Sequence, residues 1–298
     1  MKAYTTTPLQ VIKAANKDIH VFSTDVKNTD PKVVNDFGEE WLTFNNFDEK
    51  TINKLSAEYF DILNGDILNK NTYAIDIGCG TGRFSRYISK YVKFVECVDP
   101  SRAIYAADKL LANTENIRLS QASTESLPFD DETFDFAMSI GVLHHIPDTQ
   151  KAMQDCVKKV KKGGYFYCYL YYNLDNRGFL YKFLFQVSNL FRLVICRLPK
   201  RLKKLVCDIL AVVFYMPWVL LARFFVFLGM KEFAKKIPLA SYENKSFFII
   251  RNDSLDRFGT MLEHRYSKKE IIEMMKNAGL SDIVVSSNTP LYHAIGKK

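Results

Sequence analysis

The chain has 298 residues, enough for one large domain or a domain with a sizeable insertion, and its 48% hydrophobic and 25% charged residues mark a folded globular protein. The net charge is +8, yet residues 179–240 alone hold eleven basic and two acidic residues, so a near-neutral protein carries one basic segment. This balance excludes a secreted mini-protein, a polytopic membrane protein, a coiled coil and a repeat array. The six cysteines show no CxxC pairing and no His at zinc-ligand spacing, which reads as thiols in a reducing compartment and no metal site.

In chain order, the first residues lack the apolar run of a secretory signal. Residues 1–70 read as an N-terminal helical cap, with helical periodicity around Glu49–Leu63. From Tyr73 short apolar runs alternate with helical patterns: strands at Tyr73–Ile77, Lys93–Val98, Ile117–Ala122, Phe134–Ile140 and Tyr165–Tyr172. Helices are expected at Gly82–Tyr91, Ser101–Leu111 and Asp148–Val160, the last stopped by Lys162-Gly163-Gly164. Strands spaced by helices predict right-handed crossovers and a parallel sheet covered on both faces.

Residues 179–250 break this rhythm. Lys182, Gln186, Asn189 and Arg192 recur on one face of a helix, with Leu180, Phe183, Val187, Phe191 and Val194 on the other. Pro199 ends that helix, Lys200–Lys204 is a basic cluster, and Ile209–Ala222 follows without a charge, interrupted by Pro217. Beyond the insertion, Ser267 and Glu270 form a capping box that opens a helix Lys268–Ala278, closed by Gly279. Asp282–Ser287 and Leu291–Ile295 complete the chain as a hairpin.

The chemistry is carried by Asp76-Ile77-Gly78-Cys79-Gly80-Thr81-Gly82, which follows a predicted strand and opens a predicted helix. Close glycines let the backbone turn sharply and let a ligand approach without Cβ interference. A dinucleotide fingerprint needs a small residue at 83, and Arg83 stands there instead. Asp99 closes the next strand, where a carboxylate can take ribose hydroxyls. STESLPF at Ser123–Phe129, FDFAMSIGVLHHIPD at Phe134–Asp148 and the Val160–Tyr165 run follow in order.

This series resembles the class I S-adenosylmethionine-dependent methyltransferase superfamily over about residues 70–173 and again over 266–296. The resemblance implies a doubly wound seven-stranded α/β sheet, Rossmann-like, with its last strand antiparallel and a helical insertion at 179–250; the domain itself would comprise 71–178 and 251–298. It further implies S-adenosyl-L-methionine as cofactor. Asp76, Gly78, Cys79, Gly80 and Gly82 would hold its methionine part, Asp99 its ribose with Pro100 and Ser101 alongside, and Ile140 would line the methionine end. Ser123 and Thr124 stand where the family often has an Asp for the adenine amino group, so a hydroxyl and backbone N–H groups would substitute.

The same resemblance places His144 and His145 near the transferred methyl, either as structural groups or as a general base; His264 is a third candidate base if the acceptor is a hydroxyl. Phe37-Gly38-Glu39-Glu40-Trp41 resembles an element that precedes this domain in some relatives. Trp41 is then a core anchor or a cap on the cofactor. Asp256, His264 and Tyr266, on the return from the insertion, would roof the acceptor.

The expected activity is methyl transfer to a small-molecule, glycan or lipid-linked acceptor by a cytoplasmic protein, peripheral on the inner face of a membrane. The insertion would serve an anionic membrane surface through 179–240; a lid and a true span are its other readings. An RNA or protein methyltransferase and a non-catalytic nucleoside-binding module are the rival functions, although an uncharged run of 14 residues is too apolar for a groove that tracks phosphates.

Overall fold

The computed structural model describes residues 1–23, 27–176 and 178–298; the side chain of Leu180 also lies outside the described residues. The chain forms two compact units, Met1–Asp175 with Leu262–Lys298, and Asn176–Met261. Residues 251–261 therefore belong with the insertion and not with the domain to which the sequence reading gave them. They continue a helix that packs on the insertion's own helices.

The first unit is built on one nine-stranded sheet. Its strands are β1 (Gln10–Lys13), β2 (Asp18–Val21), β3 (Tyr73–Ile77), β4 (Phe94–Val98), β5 (Ile117–Gln121), β6 (Phe134–Ile140), β7 (Val160–Tyr169), β8 (Ser281–Val285) and β9 (His293–Lys297). The order is β1-β2-β5-β4-β3-β6-β7-β9-β8. Strands β2 to β7 pair in parallel, β1 lies antiparallel on β2, and β9 runs antiparallel between β7 and β8. The expected seven strands are β3 to β9. The sheet is larger than expected by β1 and β2, which turn the start of the supposed helical cap into a hairpin beside β5.

Strand β3 is buried at every position, so its side chains alternate between two apolar layers instead of between core and solvent. Ile75 and Ile77 join Met153, Cys156, Ile271 and Met275, from α5 (Thr149–Lys158) and α11 (Lys268–Asn277). Ala74 faces the other layer, with Phe84, Ile88, Ile104 and Leu111 at α3 (Arg83–Ile88) and α4 (Ile104–Leu110). The capping box at Ser267 and Glu270 forms as expected. Lys162–Gly164 does not stop a helix. Helix α5 ends at Lys158, and both glycines lie inside β7, where a Cβ on Gly164 would stand 2.7 Å from the Asp135 carbonyl oxygen.

Under the added hairpin lies a buried ion pair. Arg118 on β5 forks onto Glu96 on β4 at 2.9 and 2.7 Å, and the Tyr73 hydroxyl donates to the same carboxylate. The N-terminal residues close over it: the Lys2 carbonyl accepts from Arg118 at 2.9 Å, and the Tyr4 ring stands 3.8 Å from the guanidinium carbon. A desolvated charge pair needs such partners on every side.

The second unit holds α6 (Phe179–Ile195), α7 (Lys200–Leu210), a wide π-turn (Ala211–Tyr215), α8 (Met216–Phe227), the short α9 (Lys231–Ala234) and α10 (Phe247–Gly259). Pro217 does not break the chain. Residues Lys200–Phe227 run as one 28-residue helix, because the proline sits in the first turn of α8. The π-turn before it lets Met216 N–H reach the Ala211 carbonyl, five residues back.

Candidate active site

In this sheet the connections run one way from β3 through β4 to β5 and the other way through β6 to β7, so a crevice opens outside the carboxyl ends of β3 and β6. The glycine loop fills the start of that crevice. Gly78, Gly80 and Gly82 all adopt left-handed φ, at 79°, 55° and 77°. A Cβ on Gly78 would stand 2.5 Å from Val142, and one on Gly82 would stand 2.6 Å from Leu111, so these two positions are closed to side chains by sterics and by backbone alike. Gly80 is different, since the atoms nearest its virtual Cβ belong to the Trp41 indole, at 3.5 Å, an ordinary contact distance.

The two carboxylates frame the loop. Asp99 accepts from Gly80 N–H at 2.9 Å, and from the Ser101 N–H and hydroxyl at 2.8 and 2.6 Å. Three of about four acceptor directions are thus filled, and one remains for a sugar hydroxyl. Burial pushes the Asp99 carboxyl above its usual range against the pull of these bonds. Asp76 is buried at the end of β3 and accepts from the Ser85 hydroxyl at 2.5 Å; burial, opposed by that bond, raises it to about 7. Cys79 is a buried thiol pushed well above its ordinary value by the neighbouring Cys97 and by burial, so it supplies backbone and not a nucleophile.

The remaining residues expected around a nucleoside take these places. Pro100 accepts from Gln121 at 3.1 Å through its carbonyl, and Ile140 is buried at the end of β6, beside Tyr169. Ser123 and Thr124 are buried in a single 3-10 turn. Ser123 spends its N–H and one hydroxyl lone pair on Ser126 in a capping box, which removes its backbone N–H from the adenine role proposed for it.

Sequence reasoning missed two parts of the site. Thr81 Oγ1 is fully buried without a hydrogen-bond partner, an orphaned hydroxyl inside the loop. Helix α1 (Pro31–Thr43), not marked out within the expected cap at 1–70, touches the crevice through Gly38, Trp41 and Phe37. Its Gly38 approaches so closely that a Cβ there would stand 3.0 Å from the Arg102 nitrogen, and Glu39 pairs with Arg102 at 3.3 Å. Trp41, half-buried, covers Gly80 and carries the Arg83 guanidinium 4.4 Å from its ring centroid, so it caps the loop instead of anchoring the core. Phe37 reaches the other end of the crevice, its ring 4.6 Å from that of His145. The signal available was Gly38, a costly residue inside a helix unless something must come close.

The three histidines differ in kind. His145 faces the Leu262 carbonyl with Nδ1 at 2.7 Å; a carbonyl only accepts, so Nδ1 carries a proton. His144 is wholly buried against Tyr171, ring centroids 3.9 Å apart, and neither of its nitrogens has a partner. Burial, with the charges of His145, Arg265 and His264, drives its pKa well below the usual value. His264 donates its N–H to the His144 carbonyl at 2.9 Å, and its Nε2 is buried without a partner. Tyr266 lies in this unit, whereas Asp256 belongs to α10 of the second unit.

An unexpected cluster stands at the β9 side. His293 is buried beside Tyr169, with Nε2 on Asp61 at 2.5 Å and Nδ1 on the Pro290 carbonyl at 2.5 Å. Burial works against the Asp61 charge, but the bonds from His293, Asn288 and Ser286 outweigh it and hold the carboxyl below its usual range.

The loop's open cradle at Gly80, the orphaned Thr81 hydroxyl and the spare acceptor direction on Asp99 fit an S-adenosyl nucleoside. Residues 75–168 match the family model described as a methyltransferase domain. The chain is 29% identical over 130 residues to a ubiquinone biosynthesis O-methyltransferase of Coxiella burnetii, covering 43% of this chain and 53% of that one. It is 33% identical over 106 residues to a demethylmenaquinone methyltransferase of Staphylococcus aureus, covering 34% of this chain and 44% of that one. The match thus spans about half the length of these curated relatives. Among solved structures, the YcgJ protein of Bacillus subtilis is similar with a TM-score of 0.38 and 24% identity over 49% of this chain and 59% of that one. The matched family model, with the motif series and the strand order of β3 to β9, shows that residues 75–168 of this chain form a class I S-adenosylmethionine-dependent methyltransferase domain, with S-adenosylmethionine as its cofactor.

Proposed function

We propose that this protein moves a methyl group from S-adenosylmethionine to a hydroxyl of a small-molecule, glycan or lipid-linked acceptor, met at the cytoplasmic face of a membrane. The observation that carries the reading is the cradle at Gly78–Gly82 with the Asp99 carboxylate on its rim and Trp41 over it. Oxygen as the receiving atom is supported by the name of the Coxiella relative. Six free, buried cysteines suit a reducing compartment. Arg192 and Lys203 are buried, which takes two cations away from any polymer-binding surface and weakens the RNA reading.

When bound, the cofactor supplies an electrophilic methyl on a positively charged sulfur. The chain's own part is to hold, dry and deprotonate. Asp99 takes a ribose hydroxyl, Asp76 faces the positive end, and α1 excludes water over the loop. With Nδ1 protonated, His145 would take the acceptor's proton at Nε2 as the methyl is transferred. The Leu262 carbonyl holds the ring in that tautomer. His144, kept neutral by burial, packs the base and does not exchange protons.

Titration calorimetry with S-adenosylhomocysteine tests the cofactor half: Asp99→Ala is expected to weaken binding by about 10- to 100-fold. Unchanged affinity overturns the site. For the transfer itself, His145→Ala is expected to lower kcat by about 100- to 10,000-fold with nucleoside affinity intact; full turnover removes His145 from the mechanism.

A further inference from the structure

Part of the second unit has its polarity inverted. On α6, Arg192 is 7% exposed while its neighbour Phe191 is 60% exposed. The buried guanidinium donates to the Thr260 and Met261 carbonyls at 2.9 and 3.2 Å and to Asn189 at 2.7 Å. The same pattern runs along Lys200–Phe227. Lys203 is buried on the Gly259 carbonyl at 3.4 Å, Asp208 takes the Arg251 fork at 2.9 and 2.6 Å, and Arg223 donates to the Glu243 and Lys245 carbonyls at 2.8 and 2.9 Å. Leu205, Ile209, Phe214, Trp218, Phe224 and Phe227 meanwhile stand exposed. Of 28 large apolar side chains exposed among the described residues, 23 belong to this unit, too many for scattered surface residues.

In water this arrangement is doubly unfavourable, since it hydrates apolar area and desolvates charge. Against hydrocarbon it is the expected one: cations turn inward and find carbonyl or carboxylate partners, and apolar side chains turn outward.

Length alone does not say whether the helix crosses a membrane, because 28 residues reach about 42 Å. Its covered stripe decides. Lys203, Cys207, Ala211, Tyr215, Val219 and Ala222 are all buried, and the chain from Leu239 to Gly259 packs along them. That covering chain includes α10, which carries Arg251, Asp253, Asp256 and Arg257. A crossing helix would draw these charges into hydrocarbon. Cations also flank both ends, Arg197, Lys200 and Arg201 before and Lys231, Lys235 and Lys236 after, all exposed. A single crossing concentrates Lys and Arg at one end; a helix lying flat on an anionic leaflet brings both ends to the same surface.

We propose that residues 176–261 form a monotopic docking module. The helix Lys200–Phe227 lies in the headgroup plane of an anionic bilayer with its exposed apolar side in the acyl region. The polar chain 239–259 covers it from above. This gives the membrane clause of the proposed function its partner and rests on that clause alone.

Flotation of the full-length protein tests it. The protein is expected to rise with vesicles of mixed phosphatidylglycerol and phosphatidylcholine, and far less with phosphatidylcholine alone. Trp218 is one of two tryptophans and is 44% exposed. Lipids brominated near the headgroup are expected to quench its emission more than lipids brominated near the chain ends, and Trp218→Phe to abolish the lipid-dependent part. The triple variant Lys231→Glu, Lys235→Glu, Lys236→Glu is expected to partition at least ~10-fold more weakly. Its S-adenosylhomocysteine affinity in solution should stay unchanged, which reports that it folds.

Three outcomes overturn the proposal: no flotation with either vesicle, quenching stronger from deep than from shallow bromines, or a lipid-free dimer that shields Trp218. Failure of docking with nucleoside binding intact leaves methyl transfer standing. Loss of nucleoside binding with docking intact strikes the methyl-transfer reading instead.

Discussion

Asp76 has a conflict built into its position. Its carboxyl is buried at the end of β3, where the neutral form is preferred, yet the proposed function sets it beside a positively charged cofactor. The rise from 3.8 to about 7 fixes the sign of the pH dependence. Protein without cofactor has the full stability of this site below the ordinary carboxylate range and loses it as the pH climbs through about 7, by about 4 kcal/mol in the limit. Urea melts between pH 4.5 and 8, about the window concerned, are expected to show this slope, and Asp76→Asn to flatten it. Cofactor affinity should run the other way, tightening as Asp76 ionises, and should lose its pH dependence in the same variant. The glycine loop was legible because its requirement is local. A left-handed turn between a strand and a helix selects glycine at fixed spacing, whatever lies elsewhere. Thr81 was not legible as an orphaned hydroxyl, because partnerlessness is a property of the surroundings and not of the residue.

Helix α1 is the element that completes the site. Asp30 starts it by accepting from the Lys32 and Val33 N–H groups at 2.9 and 3.1 Å. Asp30→Ala is expected to cost about 1 kcal/mol of helix stability and to weaken S-adenosylhomocysteine binding about fivefold. Calorimetry beside circular dichroism checks this, since a helix unrelated to the site would lose stability and leave affinity unaltered. Sequence alone did not mark α1 as part of the site: Val33, Phe37 and Trp41 recur at helical spacing, but spacing does not say what such a stripe covers. The insertion is the opposite case. The two faces of α6 are plain in the sequence, yet periodicity says only that the faces differ. Which one is covered depends on partners such as Thr260 and Met261, far along the chain.

At the scale of the whole molecule, the seven-stranded sheet was readable from alternating strands and helices, and the added hairpin was not. Strands β1 and β2 have four residues each, and β1 is mostly exposed, which gives no pattern distinct from a loop. Their contribution is to cover the β5 edge and to bring Lys2 and Tyr4 over the Arg118–Glu96 pair. Removing residues 1–22 is expected to lower Tm by about 5–10 °C and to promote association through the bared edge. A melting curve with light scattering checks both, and an unchanged Tm would show the hairpin to be ornamental.

Because α1 touches Gly80 through Trp41 and His145 through Phe37, one helix borders both ends of the crevice. If the proposed reaction requires α1 to lift before its products leave, kcat falls as solvent viscosity rises, even for an acceptor whose chemistry is fast; a kcat independent of viscosity shows that release does not wait for this helix.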